Sequence, residues 1–246
     1  MNTTEKQYMI RVTDGSERPE SYGGFTWNRV GEWTEAPDWN PDPMCGGGLH
    51  GQHPEAGGYR HRGGTVPELL EIEGPVVKIG GDKVKVRRAK RIAVGNLNMP
   101  EMPRRWDALS LSDCTGLREL PMGLAANWLN LARCTGLRDL PEGLSAEEID
   151  LSDCTALREL PTGLSAETLD LYGCTGLREL PADLECYYLD LNGCTGLREL
   201  PATLMAMKLL DLTGCTGIRE LPEGLKVKKI YGWDHKRQRA IDILGC

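Results

Sequence analysis

Cysteine and histidine set the limits of the chemistry this chain could do. Cys45, His50, His53 and His61 lie close together in a glycine-rich stretch. Both residue types are preferred ligands of zinc, and a structural zinc takes four of them. These four residues are therefore the candidate metal site, with zinc as the candidate cofactor. Their spacing, C-x4-H-x2-H-x7-H, matches no standard finger, and the alternative is a loop whose histidines face water or cap turns. A nucleophilic Cys45 with a histidine base would also need an orienting acid and an oxyanion site. The sequence displays neither, so no catalytic residue is assigned and the chain is not expected to be an enzyme. Gly46-Gly47-Gly48 is no phosphate loop, because no lysine–serine follows it.

The other cysteines follow a rule of position. Cys114, Cys134, Cys154, Cys174 and Cys194 stand 20 residues apart, and Cys215 follows after 21. Cysteines in phase occupy one structural slot and act there as small buried hydrophobes. Free thiols in such number suit a reducing cytosol, and MNTTEKQYMIRVTDG has no apolar signal core. The expected location is cytoplasmic.

What positions these groups is a repeat. Segments beginning at Leu109, Leu129, Ile149, Leu169, Leu189 and Leu210 superimpose on LDLxGCTGLRELP, the last after a one-residue insertion. Within a strand, residues two apart point the same way, so Leu169 and Leu171 fill the interior. Leu117, Leu137, Leu157, Leu177, Leu197 and Ile218 pack from the next corner, and the leucines before each proline close the far side. Those prolines (Pro121, Pro141, Pro161, Pro181, Pro201, Pro222) lack an N–H and stop a helix. The far side should be extended or 3₁₀-like. Six such coils stack into a rod of about 30–35 Å.

The pattern is that of a leucine-rich repeat, L-x-x-L-x-L-x-x-(N/C), with Ala146, Ile149, Leu151 and Cys154 in those slots of the third coil. The unit resembles the repeats of plant intracellular immune receptors, and its 20-residue length and Leu-Pro step are similar to those of bacterial type III effectors. In both families the repeats recognise proteins, so the resemblance implies an α/β-type leucine-rich-repeat solenoid, strand-dominated, with a parallel concave sheet that binds a protein. The stretch Cys45–Gly51 with Gly81-Asp82-Lys83-Val84-Lys85 resembles a module at the start of many uncharacterised bacterial and phage proteins, which implies such an origin and no activity.

The division expected from this is residues 1–88, a small, mainly β domain rich in Gly, Trp and His; 89–225, the solenoid, with Ile92 and Val94 as strand slots of a shortened first coil; and 226–246, a C-terminal cap closed by Ile241, Ile243 and Leu244. The stretch from Thr65 to Gly95 reads as two or three strands turning at Gly74-Pro75 and Gly80-Gly81-Asp82. Its basic run (Lys83, Lys85, Arg87, Arg88, Lys90, Arg91) reads as the wet face of a strand.

Outward rows carry the expected binding site. Inside each L-x-L stand Ser110, Asn130, Asp150, Asp170, Asp190 and Asp211. Neighbouring aspartates about 5 Å apart repel by about 0.8 kcal/mol in water, so the row needs internal donors or a cationic partner. The row before it holds Trp128 and Tyr188, the row after it Tyr172, and Tyr187 is also exposed; aromatics are enriched at binding hot spots. Asp150, Asp170, Asp190, Asp211, Trp128, Tyr172 and Tyr188 are thus the candidate partner-binding residues, and the partner is a protein with a basic surface. Net charge of −7 argues against nucleic acid or an anionic membrane, and no run reaches the ~18 apolar residues of a membrane span. The arginines Arg118, Arg138, Arg158, Arg178, Arg198 and Arg219, each followed by an acid, read as a solvated ion-pair ladder rather than a phosphate stripe. Two alternatives to a binding module stand: a self-assembling structural protein, or a metal-dependent enzyme in the N-terminal domain with the repeats as substrate adaptor.

Overall fold

The computed structural model describes residues 6–20, 25–44, 46–56, 64–80, 83–204, 208–223, 225 and 227–233. The N-terminal part contributes β1 (Gln7–Thr13), β2 (Trp33–Glu35), β3 (Leu49–Gly51), β4 (Val66–Glu73), β5 (Val77–Ile79), β6 (Lys83–Val86) and β7 (Arg88–Val94). These form an antiparallel sheet in the order β1-β4-β7-β2 and a smaller one in the order β3-β6-β5. The stretch from Thr65 to Gly95 therefore holds four strands, one more than its turns suggest, because β7 follows β6 after a single residue.

The repeats give β8 (Arg105–Ser110), β9 (Ala125–Asn130), β10 (Ser145–Asp150), β11 (Ser165–Asp170), β12 (Tyr188–Asp190), β13 (Leu209–Asp211) and β14 (Ile230–Tyr231), paired in sequence order as one seven-stranded parallel sheet. The result is a parallel-sheet solenoid of about six turns. Register keeps every column in line: Leu109, Leu129, Ile149, Leu169, Leu189, Leu210 and Ile230 are successive partners. The interior is one buried cluster of these leucines with the corner leucines and cysteines. At the corner before each cysteine the backbone is left-handed; Gly173, Gly193 and Gly214 adopt it freely, while Asp113, Arg133 and Asp153 adopt it at φ 57–64°. Arg133 is held there by a two-pronged bond to Asp113, Nε to Oδ1 at 2.5 Å and Nη2 to Oδ2 at 2.8 Å.

Three expectations change. No helix, α or 3₁₀, occurs among the described residues, so the α/β element of the expected class is absent there: the proline after each closing leucine has no N–H to continue a helix, and the side opposite the sheet is built of turns and extended chain. Ile92 and Val94 lie in β7, which pairs with β4 and β2; parallel pairing begins at β8, after one bridge from Asn96 to Glu119. The basic run is not one wet face, since Lys85 and Arg91 are each 1% exposed. Lys85 Nζ donates to the carbonyls of Met44 and Gly46 (3.0 and 2.8 Å). Arg91 and Arg11 flank the buried carboxylate of Glu68, Arg11 Nε donating to Oε2 at 2.7 Å and Arg91 Nε to Oε1 at 3.1 Å. Arg11 also lies 3.5 Å over the Trp27 ring, and burial pulls its pKa down to about 10 against the opposing pull of Glu68. Arg87 and Arg88 point outward to Glu35 and Glu73.

The first strand of a stack has no coil before it, so its edge needs another partner. Gln52 supplies one. Its Oε1 accepts from Ser110 N–H at 2.8 Å and its Nε2 donates to Ser110 O at 2.6 Å, so the carboxamide stands in for a strand. Asp107 N–H donates to Pro54 O, and Gly116 N–H to Thr65 O. Ile10, Leu69 and Ala93 of the antiparallel sheet join the solenoid core from the same end. Ile230 pairs with Leu210 at the other end, and Ile241, Ile243 and Leu244 lie outside the described residues. Both Gln52 and Ser110 are fully buried, so Gln52→Leu leaves two polar groups of Ser110 without partners. It should cost about 2–3 kcal/mol, read as a lowered urea midpoint with unchanged slope.

Candidate functional site

Three kinds of chemistry were in view, and the structure treats each differently. The repeat cysteines are spent on the fold. From the second coil on, each thiol donates to the carbonyl of the strand leucine one coil earlier: Cys134 to Leu111, Cys154 to Leu131, Cys174 to Leu151, Cys194 to Leu171 and Cys215 to Leu191, at 2.9–3.1 Å. Burial pushes the thiols of Cys154 and Cys194 up to about 12. They therefore stay protonated, and the thiolate that would attack or bind metal does not form. The sequence reading took them as plain hydrophobes and missed the bond. Alkylation of the native protein at pH 8 should leave Cys154, Cys174 and Cys194 unmodified and should label them once the chain is unfolded, as read by peptide mass spectrometry.

Of the candidate zinc ligands, Cys45 and His61 lie outside the described residues. Among those described, no group of three or more His, Cys, Asp or Glu could hold a metal ion. His50 sits in β3 opposite Lys85 and His53 bridges to Ala56. His53 Nδ1 accepts from Glu55 N–H, while His50 Nε2 is buried without a hydrogen-bond partner. Burial first, and then Lys83 and Lys85, push the His50 pKa down, against the opposing pull of Asp38.

The outward face of the parallel sheet holds the rest. Asp150, Asp170, Asp190 and Asp211 are successive partners across β10 to β13, half-buried and side by side. Each uses one oxygen internally: Oδ1 accepts the N–H two residues on, from Ser152, Tyr172, Asn192 and Thr213, at 2.8–2.9 Å. Asn130 does the same for Ala132 in β9. This short Asx turn starts the corner after each strand, and it takes up one oxygen of each carboxylate. Burial, then the charges of Asp150 and Asp190, hold the Asp170 carboxyl above its ordinary 3.8; burial, then Asp211, does the same for Asp190. A raised carboxyl stabilises the fold below the ordinary value and loses that contribution as pH rises through the raised one. Asp170→Asn with Asp190→Asn keeps the turn acceptor and removes the charge. That variant should melt above the unsubstituted protein at pH 7, with the gap closing below pH 3.8.

Aromatics flank this row. Trp128 and Tyr188 stand in one row with Glu148 and Thr168 between them; Tyr172 is 48%, Tyr187 47% and Tyr188 43% exposed. Lys208 Nζ lies 5.2 Å from the Tyr187 ring and 5.6 Å from the Tyr188 ring, and Lys229 lies 4.4 Å over Tyr231. The tyrosines at this end already face cations. Sequence reasoning missed a groove of about 510 Å³ across the leading ends of the strands. Its middle row is Trp106, Ala126, Ala146, Ala166 and Cys186, between outer rows that include Arg105, Ser145, Ser165 and Glu185 on one side and Asn127, Glu147, Glu167 and Tyr187 on the other. The signal was present in the slot that asks for leucine and holds alanine.

The opposite side carries less than expected. Among the described residues, Arg138, Arg158, Arg178, Arg198 and Arg219 form no ion pair with the acids that follow them, and Arg118 donates to Thr115 O instead. Consecutive side chains on extended backbone diverge, so the columns run in parallel without lacing. No described helix is long and apolar enough to cross a membrane. Compared with known proteins, the chain matches no family model, no curated protein and no solved structure.

Proposed function

We propose that the chain is a non-catalytic binding module of the leucine-rich-repeat kind, acting in a bacterial or phage-infected cytoplasm. Its partner is a protein with a basic surface, held on the outward face of the parallel sheet. The observation that carries this reading is the row Asp150, Asp170, Asp190 and Asp211, in register and half-buried, with exposed tyrosines beside it. The turn N–H groups occupy only one oxygen of each carboxylate, so the row keeps a line of outward negative charge. Asp107 in β8, Glu147 and Glu148 in β10 and Glu167 in β11 add to it on the same sheet. Aromatic surface close to a charged row is the composition of an interface hot spot. A rigid sheet also presents it with little ordering cost.

The Asx turn dictates the form of the test. Charge reversal to lysine would remove the turn acceptor along with the charge, whereas asparagine keeps it, as Asn130 already does in β9. Immobilised protein should capture a basic protein from lysate of its source cells, and the Asp150→Asn, Asp170→Asn, Asp190→Asn variant should lose it while melting no lower than the unsubstituted protein. Equal capture by both would remove the aspartate row from the interface. Capture by neither would overturn the binding-module reading.

A further inference from the structure

The groove has a chemistry of its own, distinct from that of the aspartate row. Its middle row turns toward the core, yet Ala126 and Ala146 are small enough to be reached from outside. The outer rows rise on either side because their residues, two apart on one strand, point outward together. That spacing makes the furrow about 7 Å wide, too narrow for a helix of ~10 Å diameter and wide enough for one row of side chains. It runs across five successive coils, four steps of about 4.8 Å, which matches about six residues of extended chain.

Charge selects among extended chains. The groove is lined by Glu147, Glu167 and Glu185 against Arg105 alone at one end, so anionic segments are repelled. Its floor is alanine methyl between Trp106 at one end and Cys186 at the other. That thiol is 6% exposed and, unlike the ladder thiols, has no hydrogen-bond partner among the described residues. A floor that offers apolar contact beneath a carboxylate rim fits side chains with an alkyl stem and a cationic head.

We infer that the groove receives an extended segment of the partner protein bearing lysine at alternate positions, its stems spread along the alanine floor of Ala126, Ala146 and Ala166 and its ammonium groups along the carboxylate rim of Glu147, Glu167 and Glu185. The inference rests on the reading of the outward face as a protein-binding surface and adds to it the form of the ligand. The aspartate row then serves as flanking charge, and the seat lies at the leading ends of the strands.

A fluorescein-labelled, end-capped (Ala-Lys)₄ peptide titrated with the full chain tests this by anisotropy. The unsubstituted protein should bind it saturably at low salt. Glu147→Gln with Glu167→Gln should weaken binding about tenfold. Ser165→Phe changes no charge and alters an exposed rim position; by filling the furrow it should weaken binding as much, and Ser145→Phe on the next coil should repeat the effect. Glu159→Gln with Glu179→Gln, exposed on the side opposite the sheet, removes as much charge and should stay within about twofold. No saturable binding by the unsubstituted protein would overturn the inference. So would full binding by both phenylalanine variants, provided that circular dichroism shows them folded. If the peptide result is negative while a lysate partner is captured and lost with the asparagine variant, the groove is wrong and the binding face stands.

Discussion

Backbone hydrogen bonds in the parallel sheet all run from one coil to the next: Leu131 N–H to Asp150 O, Leu151 to Asp170, Leu171 to Asp190, Leu191 to Asp211. A coil on its own would leave those donors and acceptors in water and its leucines half covered, so it has no reason to hold its shape. Stacking supplies both at once, and it transfers the difficulty to the ends. The small antiparallel sheet is the answer at one end. Gln52 satisfies both backbone groups of Ser110 with a single carboxamide, while Ile10, Leu69 and Ala93 cover the end of the leucine core. The rigid lattice that presents carboxylates, tyrosines and the groove at fixed spacing follows from that closure.

The same economy explains why buried chemistry in this molecule is structural. The cysteine thiols link coils through a donor that a leucine or alanine would lack. Glu68 is buried because two guanidiniums come with it; that of Arg91 also donates to the carbonyls of Glu17 and Ser16, and that of Arg11 lies over the Trp27 ring. Removing one member of such a group strands the others at a cost of several kcal/mol. What is left for recognition is the face whose side chains the lattice does not need.

Legibility in the sequence followed periodicity. The strand leucines, the corner leucines, the cysteine slot and the outward aspartates were all readable because each recurs in phase, and one pitch fixes all of their directions. Contacts made once were not readable. Nothing in the sequence marks Gln52 as the partner of Ser110, 58 residues away, or Arg91 as the buried ligand of Glu68 rather than one more charge in a basic run. Alternation also misled: Lys85 follows a wet-dry pattern yet points inward, because a loop brings two carbonyls to its ammonium. The arginine and glutamate columns looked like partners from adjacency alone, which on extended backbone separates side chains instead of joining them. The groove fell between these cases, since its alanines recur but their absence of bulk matters only once the flanking rows are seen to rise.

Because each middle coil meets its neighbours through the same columns, the middle coils are close to interchangeable, while the first is keyed to a unique counterpart through Gln52 and Thr65. Duplication or loss of one 20-residue unit in the middle of the gene would therefore lengthen or shorten the array by about 4.8 Å without creating a new junction. The molecule is built like a gauge of adjustable length: evolution can match the span of its outward face to a longer or shorter ligand by counting units, leaving the chemistry of every unit as it was.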